Sequence, residues 1–177
     1  MSTRVRTPAF VPGLLQTPEY VRALRESPAA QVTKGPEPDE EFIAARLARR
    51  QRLKGEPPLS LRVVIYEAVL CNFPGGASTA AGQVDELARM AELPSVSIRI
   101  FPFSAGTHPG LIGSFNIISF AAPGAMDVVY VEAPFAERWV EGGGAAAAYD
   151  ELFERITERS LDERESVAFL HHLRRRL

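Results

Sequence analysis

Arg46 and Arg50 stand four residues apart, with Gln51 directly behind them. On a helix that spacing puts both guanidinium groups on one face, where they repel mildly unless an anion sits between them. A planar guanidinium suits a carboxylate or phosphate, so the functional reading is a ligand-binding clamp to which Gln51 adds a hydrogen bond. The structural reading, which weighs more, is an ion pair with an internal carboxylate, Glu67 being the first candidate. Glu67 follows the uncharged run Val63 to Tyr66 at the expected carboxyl end of a strand, where open sheets place ligands. There it would act as a general base, hold a ligand amine, or serve only as a salt-bridge partner. Glu132 closes the run VVYVE in the same way and admits the same readings. His108, in the glycine-rich segment AGTHPG, is a candidate imidazole on a pocket lid; the plainer reading is a bystander in a surface turn. His171 and His172 are neighbours on an expected helix and point apart, so no metal site is expected from them.

Elements that position these side chains can be read from capping and periodicity. Thr17-Pro18-Glu19 combines a capping hydroxyl, a proline that needs no amide partner and an acid in the first turn, which predicts a helix start. The segment 27–38 holds three prolines and a glycine and reads as a surface loop. Asp39 is the expected cap of a second helix whose buried face is Phe42, Ile43, Leu47 and Leu53. Leu59 to Glu67 reads as a buried strand, Thr79 to Leu93 as a helix, and Val96 to Phe101 as a strand with alternating apolar residues. Strand, helix, strand implies a parallel pair with a helical crossover. Gly113 to Phe120 and Asp127 to Glu132 are expected to form an antiparallel hairpin around Pro123-Gly124. The glycine and alanine run over 142–148 reads as a connection into a helix from about Ala145 to Arg159. Ser160-Leu161-Asp162-Glu163 is the expected capping box of a last helix. The fold class is therefore α/β (α+β): a mixed sheet with one crossover and one hairpin, flanked by N- and C-terminal helices.

Bulk properties bound the remaining choices. With 177 residues and 46% hydrophobic content, residues 1–177 are expected to form a single domain with a substantial core. The net charge of -2 and a pI near 6.0 give no general attraction to a phosphate backbone, so nucleic acid is not an expected direct partner. One cysteine, Cys71, makes neither an internal disulfide nor a cysteine-rich metal site, which suits a reducing cytoplasm. Neither a signal peptide nor a membrane span is expected. Gly75-Gly76 ahead of a helix is a weak phosphate signal, since no complete phosphate-binding motif accompanies it. No cofactor or metal is expected, and no catalytic triad can be assembled from the visible motifs.

PGLLQTPEY at Pro12 to Tyr20 is the most specific phrase in the chain. Together with RLARRQ at Arg46 to Gln51, the stretch from Gly75 to Gln83, FPFSAGTHPGLIGSF at Phe101 to Phe115 and VVYVE up to Glu132, it resembles the actinobacterial domain of unknown function 5753. The resemblance runs over nearly the whole chain. It implies the effector half of an antitoxin-like regulator with an Xre-type helix-turn-helix, and here that DNA-reading half is expected to be missing. It also brings Gln83 among the candidate ligand-binding residues, with Arg46, Arg50, Gln51, Glu67 and His108. In two places the chain departs from the family: Cys71 and Asn72 stand where a basic residue is usual, and Ala80 where methionine is. The implied function is binding of a small molecule or a small regulatory protein without direct contact to DNA. The alternative is a small cofactor-independent cyclase or isomerase of natural-product metabolism, with Glu67, Glu132, His108, Tyr66 and Tyr130 as catalytic candidates. A truncated module that pairs with full-length regulators, or with itself as a homodimer, is a third reading.

Overall fold

A computed structural model describes residues 1–7, 9–28, 38–107, 113–133, 136–141 and 143–177. Its centre is a strand that the sequence reading omits. Ser2–Thr7 (β1, STRVRT) alternates Ser2, Arg4 and Arg6 with Thr3, Val5 and Thr7, so neither face announces a core. Yet β1 pairs in parallel with Ser60–Tyr66 (β2) and antiparallel with Ser114–Ser119 (β4). The other strands are Val96–Phe101 (β3), Val128–Ala133 (β5) and Ala136–Glu141 (β6). They form a six-stranded mixed sheet in the order β3-β2-β1-β4-β5-β6. The expected parallel pair is β2 and β3, and the expected hairpin is β4 and β5. Strand β6 is a second omission, because its alternation is short and two of its six residues are glutamates.

Among the described residues there are six helices. Pro18–Glu26 (α1) is capped as expected, the Thr17 hydroxyl accepting from the Tyr20 amide at 3.1 Å. Asp39–Arg50 (α2) begins on Asp39 rather than after it, with Pro38 in the cap position. Asp39 instead pairs with the buried Arg25 of α1, an arrangement that ties α1 to α2 and leaves the acid at the positive pole of α2. Of the expected apolar face, Ile43 and Leu53 are buried while Phe42 and Leu47 are half-buried. Most of the expected loop over 27–38 lies outside the described residues.

Glu67 opens a short helix, Glu67–Cys71 (α3), instead of closing β2. Gly76–Met90 (α4) starts three residues earlier than expected, because Gly75 and Gly76 take positive φ (80° and 78°) and turn the chain tightly into it. The run expected to be a connection is helical from Gly143 onwards, in Gly143–Glu158 (α5), since alanine favours helix strongly enough to carry two glycines. In Glu163–Arg174 (α6) the capping box is real but sits two residues later than read, between Asp162 and Glu165.

Two cores flank the sheet. On one face Val5, Leu61, Val63, Ile65, Ile98 and Ile100 pack beneath α1, α4 and α6, with Tyr20, Leu87 and Leu170 fully enclosed. On the other, Val64, Phe101, Phe115, Ile117 and Val129 pack against Ala146, Phe153 and Ile156 of α5. Alternate residues of β1 and β2 send Arg4, Arg62 and Arg6 to this second face. Arg4 is paired with Asp127 and Asp150, and Arg62 with Glu154. The Arg62 hydrogen bonds hold the Glu154 carboxyl below its usual range.

Arg6 differs from these two. It is 1% exposed, donates to the Gly113 carbonyl through Nη1, and leaves Nη2 buried with no hydrogen-bond partner among the described residues. No carboxylate among the described residues pairs with it, and burial lowers its pKa to about 10. Removing a buried cation with no countercharge among the described residues relieves its desolvation, at the loss of one hydrogen bond to Gly113. Arg6→Met is therefore expected to stabilise the fold by about 1–2 kcal/mol, read by urea unfolding. A fall in the unfolding midpoint would show that the guanidinium is a net contributor.

Candidate functional site

Helices cover the first sheet face over β1, β2 and β3. Over β4 and β5 the same face carries Asn116, Ile118 and Tyr130, none of them buried, and β6 adds Trp139, which is 57% exposed. Strand register aligns them in rows: Val5 with Asn116, Asn116 with Tyr130, Tyr130 with Trp139. The Tyr130 and Trp139 rings lie 4.7 Å apart at 44°. Above them the turn Gly13–Leu15 and the α2 residues Arg46 and Arg49 form the opposite wall of a cleft of about 300 Å³.

The upper wall is fixed by a chain of polar contacts. Arg46 donates through Nη1 to Gln16 Oε1 at 2.8 Å, Gln16 donates to the Val11 carbonyl at 2.7 Å, and the Val11 amide donates to the Tyr20 hydroxyl at 3.2 Å. The Arg46 guanidinium also lies over the Phe42 ring, 4.5 Å from its centroid. Gly13 makes this packing feasible, since a Cβ there would stand 2.6 Å from Arg46 Nη1. PGLLQTPEY and RLARRQ, distant in sequence, thus meet at one wall, with Tyr130 of VVYVE facing them.

Arg50, Gln51, Glu67, Tyr66 and Gln83 have other surroundings than Arg46. Arg50 turns to α4, where it pairs with Glu86, which also holds Arg89 at 2.6 Å. The expected pairing of Arg46 or Arg50 with Glu67 is absent: Glu67 Oε2 accepts from the Phe103 amide at 2.6 Å and secures the turn Phe103–Ala105. Tyr66 packs edge-on against Phe103, with ring centroids 5.5 Å apart. A single cavity lined by Arg46, Arg50 and Glu67 does not form, because α2 sends its two arginines to different neighbours while Glu67 lies beyond β2. Gln51 is exposed. Gln83 is 0% exposed and fully engaged, its Oε1 accepting from the Thr17 amide at 2.9 Å and its Nε2 donating to the Leu15 carbonyl at 2.8 Å. That makes it a fastener of PGLLQTPEY to α4 rather than a ligand contact. His108 and the Glu132 side chain lie outside the described residues; the Glu132 backbone pairs in register with Ser114 and Glu137.

Glu67 borders a second cleft, of about 510 Å³, with Cys71, Phe73, His172 and Arg176. Partial burial, and then the Glu67 charge, raise the Cys71 thiol, which disfavours a nucleophilic thiolate there. Among the described residues no cluster of histidine, cysteine and acidic side chains has the geometry to hold a metal, and no helix is long and apolar enough to cross a membrane.

Arg49, Asn116, Trp139 and Gln16 escaped the sequence reading. Trp139 had the best available signal, as the sole tryptophan in a short alternating run. Its partner across the cleft, α2, could not be inferred from spacing.

No curated protein and no solved structure matches the sequence. A family model does match residues 1–172, nearly the entire length over which the cleft and both cores are built. The chain belongs to the family described as domain of unknown function 5753.

Proposed function

We propose that this chain is a ligand-binding domain of the kind that serves as the sensing half of an antitoxin-like regulator, and that its site is the cleft between the open sheet face and α2. One observation carries the reading. An aromatic pair, the half-buried Tyr130 and the exposed Trp139, lies on the part of the sheet face beyond α1, α4 and α6, in one cleft with an arginine held in place by Gln16 and Phe42. Concave, mostly apolar clefts with a few fixed polar groups are the usual form of small-molecule sites. Binding without direct DNA contact agrees with the net charge of -2, and with Arg4 and Arg62 being paired to carboxylates rather than presented as a basic surface.

The sole tryptophan makes the site observable. A ligand seated in the cleft is expected to change Trp139 fluorescence and raise the melting temperature of the full chain. Tyr130→Ala, which removes one ring face, is expected to weaken that ligand about tenfold while leaving the fold intact. A small-molecule panel that raises the melting temperature with no change at Trp139 would place binding elsewhere. Chemical conversion of the bound compound would replace the sensing role with the enzymatic one.

A further inference from the structure

The cleft bordered by Glu67 shares no residue with the one at Trp139 and is the larger, about 510 Å³ against about 300 Å³. We propose that it is a further binding site, for a small zwitterion with an apolar side chain, an amino acid or dipeptide, whose ammonium group meets Glu67 and whose carboxylate meets Arg176. This inference goes beyond the sensing role assigned to the Trp139 cleft and does not depend on it.

Charge supplies the first argument. Glu67 opens α3 and Arg176 follows α6, so residues distant in sequence bring opposite charges to one hollow. Both are close enough to act on the Cys71 thiol: burial raises it most, the Glu67 charge raises it further, and the Arg176 charge lowers it. Yet the two do not pair. Glu67 is half-buried and anchored, its Oε2 accepting from the Phe103 amide at 2.6 Å, while Oε1 accepts no hydrogen bond among the described residues. Arg176 is exposed and makes no ion pair or side-chain hydrogen bond among the described residues, although Arg174 of the same turn is held by Asp85. A simple anion in this cleft is opposed by Glu67 and a simple cation by Arg176, whereas a molecule carrying both charges meets a partner at each pole.

The walls supply the second. Leu70 and Ala80 are buried, and Phe73, Phe169 and Leu173 are half-buried, so the lining between the charges is mostly apolar. Such a surface favours an aliphatic or aromatic side chain over a wholly polar zwitterion. His172 also lines the cleft and offers the ligand carboxylate a second donor beside the planar fork of Arg176. The volume lies within the range of small-molecule sites and admits a dipeptide as well as a free amino acid.

Blocking one charge of the ligand at a time isolates each pole. L-Leucyl-L-phenylalanine is compared by calorimetry with its N-acetyl derivative, which lacks the ammonium, and its C-terminal amide, which lacks the carboxylate. The unblocked dipeptide is expected to bind the intact chain about fivefold more tightly than either. Glu67→Gln keeps an acceptor for the Phe103 amide, and is expected to cancel the N-acetyl penalty while leaving the amide penalty in place. Arg176→Met is expected to do the reverse, and its exposed position keeps that arm informative even where Glu67→Gln lowers stability. Cys71, the sole cysteine, is exposed in the cleft, so a bound dipeptide is expected to slow its modification by a soluble thiol reagent and to leave Trp139 fluorescence unchanged. L-Phenylalanine, titrated alongside, distinguishes the two sources of the zwitterion by which binds more tightly. Equal affinities for the three dipeptide forms, or penalties that persist in both variants, would overturn the zwitterion class. Failure of both the dipeptide and phenylalanine to protect Cys71 would overturn the site itself.

Discussion

Gln83→Leu is expected to destabilise the domain by about 3 kcal/mol, since it takes the partner from one buried and one part-buried backbone group. The side chain is fully enclosed, and its amide answers the Thr17 N–H and the Leu15 carbonyl at once. Leucine has similar volume, so packing changes little and the loss comes from desolvated polar groups. For a chain of this size the melting temperature should fall by roughly 10 °C. Gln51→Leu is the control: it sits on the surface and is expected to change stability by less than about 0.5 kcal/mol. The Gln83 substitution should also weaken cleft binding, because the turn Gly13–Leu15 that it fastens is part of the cleft wall. If urea unfolding shows a loss below about 1 kcal/mol, the two hydrogen bonds are replaced by others and Gln83 is not a fastener.

The second large effect belongs to the opposite face of the sheet. Phe153 is 1% exposed at the centre of the core beneath α5, and the Arg62 guanidinium lies 5.1 Å from its ring centroid. Phe153→Ala is expected to cost about 4 kcal/mol in unfolding free energy, a sum of lost transfer energy and the cavity left behind. That is a large part of the stability of an ordinary domain, so a measurable unfolded fraction should appear at 37 °C. Phe153→Leu retains most of the volume and is expected to cost no more than about 1.5 kcal/mol. Trp139→Ala on the open face provides the contrast, because that ring is already 57% exposed and its removal should change stability little. Equal losses from Phe153→Ala and Trp139→Ala would mean that the open face is covered in solution, for instance by a second copy of the chain.

Local signals carried much of the fold. Thr17 and Pro18 open α1, branched apolar residues define β2, strict alternation defines β3, and Pro123-Gly124 joins the hairpin. Each is a short-range rule of capping, periodicity or turn chemistry, so each could be read from a window of a few residues. Strand β1 could not be read this way. Arg4 and Arg6 mark it as polar, and only the acids of α5 and the β4–β5 connection, more than a hundred residues away, make Arg4 acceptable beside a core.

The candidate site divides along the same line. The sequence alone determined which residue types were at hand: arginines on α2, a carboxylate after β2, a tyrosine in VVYVE, and a family phrase that needed a structural reason. Which of them meet was decided by tertiary structure. Helical spacing does place Arg46 and Arg50 near one another, but side chains reach their partners across elements, and α4 offers Glu86 to one while Gln16 and Phe42 hold the other. Glu67 is separated from both because β2 hands it to the Phe103 turn. The cleft exists because β6 extends the sheet beyond the reach of α1, α4 and α6, leaving aromatic surface that no local pattern could have shown to be uncovered.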